Sequence, residues 1–213
     1  MTALHTFEAP QRFLGLELGA RMTVIEIAGD LLLHSPIAVD PVQLTALGTP
    51  RWLLAPNRLH HLHAGPWLAR GLEGWAAPGL PEKRPDLSFA HVVEEACEPF
   101  GPDVRLIPLR CFDLTREVVL LHRPTRTLVV TDLVFNLTAD APWLTRAAMW
   151  STGAYPGCRV SALERVGMDR AIARAEIAAL LELDFDRLIP AHGAIVVSGA
   201  KAALRGAYRW LGL

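Results

Sequence analysis

Histidines clustered after an apolar run are the residues of this sequence most able to do chemistry. Three of the chain's eight histidines lie within the segment 57–63, at His60, His61 and His63, just after the breaker Pro56. Imidazole nitrogens bind Zn²⁺ and similar first-row ions. Because neighbouring side chains inside a helix point about 100° apart, His60 and His61 can share one ion only at a turn or at a helix start. The alternative is a polar turn whose histidines face solvent.

Two further side chains with ligand chemistry occur later in the chain, one inside an apolar segment and one just after another. Asp132 lies inside the apolar segment 129–135, and His192 follows the segment 187–190. A buried carboxylate without a partner is costly, so Asp132 is expected to face a cation, unless it caps a turn or pairs with an arginine. His192 could instead be an ordinary loop histidine. Since ligands in layered α/β proteins collect beyond strand ends, the sequence predicts one divalent ion, with zinc favoured over iron or manganese. Its predicted ligands are His60, His61, Asp132 and His192.

Five other residues are candidates for lining the pocket or orienting the ligands. A carboxylate outside the coordination sphere can orient a histidine, and Glu117 could do so, or could be an edge-strand glutamate. His34 could line the pocket or lie on the surface, and His63 could orient a ligand or face solvent. The complete set of five is His34, Asn57, Arg58, His63 and Glu117. Outside this set, Cys111 is a less favoured candidate nucleophile.

Hydrophobic patterning predicts strands first and then a mixture of strands and helices. Strands are predicted at 22–27, 31–33, 51–55, 104–109, 117–122, 127–133 and 187–190. Helices are predicted at 41–47, 59–72, 143–150, 169–183 and 199–210, the last with Ser198 as its cap. Residues 1–20 lack clear periodicity and are predicted to be an irregular arm or first strand.

Composition limits the classes of partner. With 21 basic and 22 acidic residues among 213, the chain has no broad basic field, so nucleic acid is not expected as a partner. No apolar run approaches the roughly 20 residues of a membrane span, and charges interrupt the first twenty residues, unlike a secretory signal. Three scattered cysteines are typical of a reduced, cytoplasmic protein.

The quoted residues resemble the metallo-beta-lactamase superfamily over most of residues 21–200. The matching pieces are the hairpin at 22–33, the pair His60 and His61, the strand that ends in Asp132, and the segment 189–193 with His192. A narrower resemblance, to a branch with a domain-of-unknown-function label, rests on segments 34–36, 54–57, 60–61, 122–124 and 131–133. The resemblance implies an α/β fold, an αββα four-layer sandwich of two mixed β-sheets flanked by helices, as one domain over residues 1–213.

The sequence departs from the superfamily's His-x-His-x-Asp-His signature. With the final histidine of the signature placed on His61, its aspartate falls on His60, and its earlier histidines fall on Pro56 and Arg58. The resemblance therefore implies a single metal position in place of two. We hypothesise that the guanidinium of Arg58 occupies the emptied position.

These observations predict a metal-dependent hydrolase. A single ion would lower the pKa of its bound water toward neutrality, with Asp132 as a candidate base, for attack on an ester, thioester, amide or phosphoester. The alternative is a non-catalytic member of the fold that binds a ligand with a structural ion or none, and oxygen chemistry at iron is a third interpretation. The expected partner is a small molecule, and a homo-oligomer is compatible with the sequence.

Overall fold

Two β-sheets that face each other form the centre of the structure, a computed structural model that describes residues 3–213. The strands are β1 (Leu4–Ala9), β2 (Arg12–Phe13), β3 (Leu16–Glu17), β4 (Ala20–Ile27), β5 (Asp30–His34), β6 (Thr49–Ala55), β7 (Glu73–Ala76), β8 (His91–Val92), β9 (Val104–Pro108), β10 (Val118–His122), β11 (Thr127–Val129), β12 (Phe135–Leu137), β13 (Gly157–Arg159) and β14 (Arg187–Ile189). The first sheet has the order β1-β4-β5-β6-β7-β8, and the second has the order β14-β11-β10-β9. Both sheets are mixed, since β5 to β8 run parallel in the first and β11 pairs with β14 in parallel in the second.

Some of the helices cover the outer faces of both sheets. The helices are α1 (Ala64–Leu68), α2 (Leu80–Lys83), α3 (Trp143–Ser151), α4 (Ala162–Gly167), α5 (Arg170–Glu182) and α6 (Ala200–Ala207), with 3₁₀ turns at Pro41–Leu44 and Arg209–Leu211. Within residues 3–213, no helix combines the length and the hydropathy that crossing a bilayer requires.

Buried side chains alternate between two cores along the strands of the first sheet. In β5, Leu31 and Leu33 belong to the core under α1, where Trp67 is also buried, while Leu32 faces the second sheet. Such continuous apolar runs are expected of strands that are covered on both faces. A third core joins the outer face of the second sheet to α5 through Ile177 and to α6. The layers are therefore helix, sheet, sheet and helix, as the resemblance implied.

The hairpin β4–β5 closes through a two-residue turn. Ala28 and Gly29 both have positive φ, at 53° and 92°, which is the backbone that a tight, right-twisted hairpin turn requires. This confirms the predicted turn between the first two strands. Ahead of it, residues 4–9 form β1 along β4, so this part of the predicted irregular arm is a regular edge strand, while residues 1 and 2 lie outside the described part.

Two predicted elements are shorter than the sequence indicated. The helix predicted at 59–72 exists only at α1, because Pro66 has no N–H and fits only the first turn of a helix, and Gly71 then takes a φ of 88°. The strand predicted at 127–133 ends at Val129. Beyond it, the backbone N–H groups of Thr131 and Asp132 donate to the side chain of a glutamate and leave the ladder.

Aspartates hydrogen-bond the backbone at the start of three other predicted elements, and two of these aspartates are N-caps. Asp40 accepts from the N–H of Val42 and begins a 3₁₀ turn where a helix was predicted. Asp169 accepts from two N–H groups at the start of α5, as the amphipathic pattern indicated. Ser198 does not cap α6; Asp186 accepts from the N–H of Gly199 instead. The sequence did not reveal α4, β7 or the pair β12–β13.

Candidate metal centre

Segments that follow strand ends converge at one edge of the two sheets. Asn57 follows β6, Asp132 follows β11 and His192 follows β14. Because β5 and β6 are parallel neighbours, as are β11 and β14, the carboxyl ends within each pair lie together, where ligands of α/β proteins collect.

Three predicted ligands meet at this edge. The Nε2 atoms of His60 and His192 are 3.2 Å apart, and each is 3.4 Å from Oδ1 of Asp132. The ligand atoms of the three side chains all lie within 4.8 Å of one another, so the group could hold a metal ion. Ligands roughly 2.0–2.1 Å from a tetrahedral zinc ion are about 3.3 Å apart, and the three separations match that spacing.

The remaining ring nitrogens of both histidines are held by the protein. The Nδ1–H of His192 donates to the carbonyl oxygen of Gly19 at 2.7 Å, and Nδ1 of His60 lies 2.8 Å from the hydroxyl oxygen of Ser35. A neutral imidazole that donates through Nδ1 keeps a lone pair on Nε2. Orientation of this kind is how proteins fix the tautomer of a metal-binding histidine.

Asn57 connects the histidine turn to the carboxylate. Its side-chain oxygen accepts from the N–H groups of Leu59 and His60, both at 2.7 Å, which closes the Asx turn that places His60. Its amide nitrogen donates to Oδ2 of Asp132 at 2.7 Å and to the hydroxyl of Thr131 at 2.8 Å. Only Oδ1 of Asp132 is therefore left facing the histidines.

Glu117 holds the backbone of the same carboxylate. Its two oxygens accept from the N–H groups of Thr131 at 2.6 Å and Asp132 at 2.8 Å. Glu117 therefore orients Asp132, whereas one expectation from the sequence was that it orients a histidine. Burial, followed by the nearby charge of Asp132, raises the pKa of Glu117 to about 7. Burial opposes ionisation of Asp132 too, but the rings of His60 and His192 outweigh it and hold the pKa of Asp132 below its usual range.

The structure does not bring His61 into the group. Its Nδ1 lies 2.8 Å from a guanidinium nitrogen of Arg84, which itself pairs with Asp86. Burial, then the charges of Lys83 and Arg84, lowers the pKa of His61 to about 4. Adjacent residues in the turn project in different directions, so His60 reaches the centre and His61 lies beside it. Three ligands leave a tetrahedral ion one open position, as catalytic zinc sites require.

Arg58 points toward neighbouring loops. Its guanidinium donates to the carbonyl oxygen of Asp113 at 3.0 Å and lies against Gly79. Its backbone N–H donates to the carbonyl oxygen of Thr115. Within residues 3–213 no hydrogen bond or ion pair joins Arg58 to Asp132, so these contacts do not support a guanidinium in the emptied metal position.

His34 and His63 take different places. His34 is buried beneath the centre, and its Nε2 has no hydrogen-bond partner within the described residues. Burial, followed by the nearby ring of His60, lowers the pKa of His34 to about 3. His63 precedes α1 and faces the cavity described below. Neither side chain belongs to the group of three.

Replacing His34 with leucine is expected to flatten the pH dependence of stability in metal-free protein. Because the folded-state pKa is near 3 and the ordinary value is 6.5, the unfolded chain binds the extra proton, and stability falls as pH drops from about 6.5 toward 3. One proton gives a slope of about 1.4 kcal/mol per pH unit. Urea unfolding in the presence of a chelator, repeated at several pH values, measures this slope for the unchanged protein and the variant. Equal slopes in the two proteins would contradict a lowered pKa at His34.

Three residues that support the site were missed by the sequence reasoning. Ser35 has a φ of 56°, an unusual backbone that turns its hydroxyl toward His60. Buried Arg21 donates to the carbonyl oxygens of Pro190 and Gly193, on both sides of His192. A Cβ at Gly193 would lie 2.1 Å from a backbone oxygen of the adjacent strand, so only glycine fits there. Neither the backbone strain at Ser35 nor contacts between distant segments leave a local sequence signal.

The group of three opens into a cavity of about 620 Å³, within the usual range for small-molecule sites. Nonpolar side chains such as Phe13, Ile37 and Phe112 line it, together with the rings of His60 and His192. The centre is thus accessible to a molecule much larger than water.

Comparison with known proteins identifies the fold. A solved structure of VMB-1 at pH 5.5 is 10% identical, with a TM-score of 0.70 over 99% of this chain and 94% of that chain. The metallo-beta-lactamase FIM-1 from Pseudomonas aeruginosa, in its mono-zinc form, is 12% identical, with a TM-score of 0.67 over 99% and 92%. A metallo-beta-lactamase from Hirschia baltica is 14% identical, with a TM-score of 0.61 over 97% and 92%. No family model and no curated protein matches the chain, so the narrower resemblance to one branch stays a prediction. The chain has the metallo-beta-lactamase fold.

Proposed function

We propose that this protein is a metal-dependent hydrolase with a single ion, zinc by preference, held by His60, Asp132 and His192. The observation that carries the proposal is the convergence of three acceptor atoms 3.2–3.4 Å apart in a largely buried site. Acceptors this close repel one another unless a cation or a proton lies between them. Since both Nδ1 atoms are engaged elsewhere, a divalent cation satisfies all three lone pairs at once.

Three of the site residues would hold the ion, and two others hold Asp132 in place. When bound, such an ion polarises a substrate oxygen and lowers the pKa of a water molecule. Asn57 restrains one oxygen of Asp132 so that the other faces the centre, and Glu117 restrains its backbone. A ligand set that is fixed before binding loses little entropy when the ion arrives.

The proposed reaction is hydrolysis of an ester, thioester, amide or phosphoester. The oxygen of water bonds to the carbonyl carbon or phosphorus, and the bond from that atom to the leaving oxygen, sulfur or nitrogen breaks. Of the two protons of the water, one ends on the leaving group and the other stays with the acid product. Asp132 was the candidate base from the sequence, but in this proposal its Oδ1 holds the ion and its Oδ2 accepts from Asn57, so its role is that of a ligand.

Metal analysis combined with a hydrolysis panel tests the proposal. Protein purified without added metal is expected to contain about one zinc ion per chain and to hydrolyse members of an ester, thioester and phosphodiester panel. Chelation should remove both the ion and the activity, and added zinc should restore both. Protein that binds no divalent ion would refute the mechanism. A retained ion without turnover on any substrate class would favour the alternative of a ligand-binding member of the fold.

A further inference from the structure

The cavity beside the metal centre is nonpolar over most of its wall. Apart from the three candidate ligands, its inner surface is formed largely by aromatic and aliphatic groups, among them Leu18, Ile37, Leu59, Phe112 and Phe135. Nonpolar walls favour nonpolar ligand surface by about 25 cal/mol for each Å² removed from water. The wall therefore selects for a substrate part without charge.

The nonpolar surface continues outward onto the mouth of the cavity. Leu163 and Val166 lie one turn apart on α4 and are 74% and 88% exposed, and Leu62, which also lines the cavity, is 61% exposed. No residue of α4 is buried, so packing does not explain the nonpolar character of this helix face. Contiguous exposed nonpolar patches beside a cavity mark ligand grooves.

The charged groups on the cavity wall include both signs. Among the described lining residues, Lys83 is the single lysine or arginine, and it donates one hydrogen bond to the carbonyl oxygen of Arg58 at 2.6 Å. Glu164 accepts from the backbone N–H and the hydroxyl of Ser161 in the capping box of α4. Apart from the three candidate ligands, the described lining carries one lysine and one glutamate, so their formal charges cancel and give an anionic substrate no net attraction outside the metal centre.

We propose, resting on the function proposed above, that the substrate is an uncharged carboxylic ester with a long nonpolar acyl chain. The ester carbonyl would lie at the metal centre, and the chain would cross the nonpolar wall to the exposed side chains of Leu62, Leu163 and Val166. Water adds to the carbonyl carbon, the bond to the alcohol oxygen breaks, and the alcohol leaves with one proton of that water. The products are a fatty acid and an alcohol.

Binding of non-hydrolysable methyl ketones to metal-free protein tests the chain-binding surface independently of catalysis. Affinity for 2-alkanones, measured by titration calorimetry, is expected to rise about twofold to fourfold per added methylene. The double variant L163K/V166K should bind the longest ketone at least about tenfold more weakly. The matched control V42K/V197K changes two valines that are 69% and 75% exposed and lie off the cavity, and it adds the same charge. It should bind like the unchanged protein.

Turnover by zinc-loaded protein completes the test. For 4-nitrophenyl esters, kcat/KM is expected to increase from acetate to decanoate, and the increase should be smaller in L163K/V166K than in V42K/V197K. Ketone affinity that is independent of chain length, or equal losses in both double variants, would overturn the inference. Tighter binding of a ketone with a terminal carboxylate would overturn it as well. Chain-dependent ketone binding without ester turnover would support the chain-binding surface and overturn the ester as the substrate, while leaving the hydrolase proposal to the wider substrate panel.

Discussion

Replacing His192 with alanine is expected to remove metal binding. The variant deletes one of the three candidate ligand atoms that residues 3–213 bring together, and the two that remain would be too few to hold a zinc ion. Bound zinc should fall from about one ion per chain to near zero, and affinity should fall by more than about 100-fold. Metal analysis after gel filtration and competition with a chromophoric chelator measure these two quantities.

The matched control for this experiment is His61→Ala. Sequence spacing alone makes His61 as good a ligand as its neighbour, but its Nδ1 lies against Arg84 and it does not belong to the group of three. The control should therefore keep its metal. Loss of zinc from His61→Ala, with retention in His192→Ala, would show that the centre is assembled differently.

Replacing Glu117 with glutamine is expected to weaken both the fold and the metal site. Both oxygens of this buried carboxylate accept backbone N–H groups, and an amide would turn one acceptor into a donor that faces another donor. An unsatisfied buried group of this kind costs about 1–3 kcal/mol. Because Asp132 would shift with its backbone, metal affinity should fall about 10–100-fold. Urea unfolding and chelator competition give the two numbers.

Glu176→Gln is a matched control for the metal effect. The carboxylate of Glu176 also accepts two backbone N–H groups, from Arg110 and Cys111, but on α5 and away from the centre. This variant should lose stability and keep its metal affinity. If both glutamine variants lost metal affinity equally, general destabilisation would explain the effect, and Glu117 would have no specific role in positioning Asp132.

Residue type and the position of strand ends made most of the centre predictable from sequence. A carboxylate inside an apolar segment and histidines after short strands identified Asp132, His60 and His192, because each residue combined ligand chemistry with an expected place at a sheet edge. Alternating and continuous apolar runs, read with the resemblance, gave the two central sheets.

Features that depend on local hydrogen-bond geometry were less predictable from the sequence. His60 and His61 have identical side chains, and the hydrogen bonds of Asn57 to the following N–H groups determine which ring faces Asp132. The strand predicted at 127–133 ends early for a similar reason. The backbone N–H groups of Thr131 and Asp132 donate to the carboxylate of Glu117 and not to a neighbouring strand. Hydrophobic periodicity does not indicate whether a side chain or a neighbouring strand accepts a given backbone N–H.

The contacts around His192 link the two ends of the chain. Its ring is held by Gly19, 173 positions earlier, and the carbonyls beside it are held by Arg21 of the first sheet. Contacts of such long sequence separation require large loops to close, and this closure costs chain entropy that local contacts do not cost. The ligand set is therefore incomplete until the carboxyl-terminal part of the chain has docked. An ion that binds this set stabilises only the fully assembled chain. The rate of metal uptake during refolding would therefore report the rate at which the carboxyl-terminal part docks.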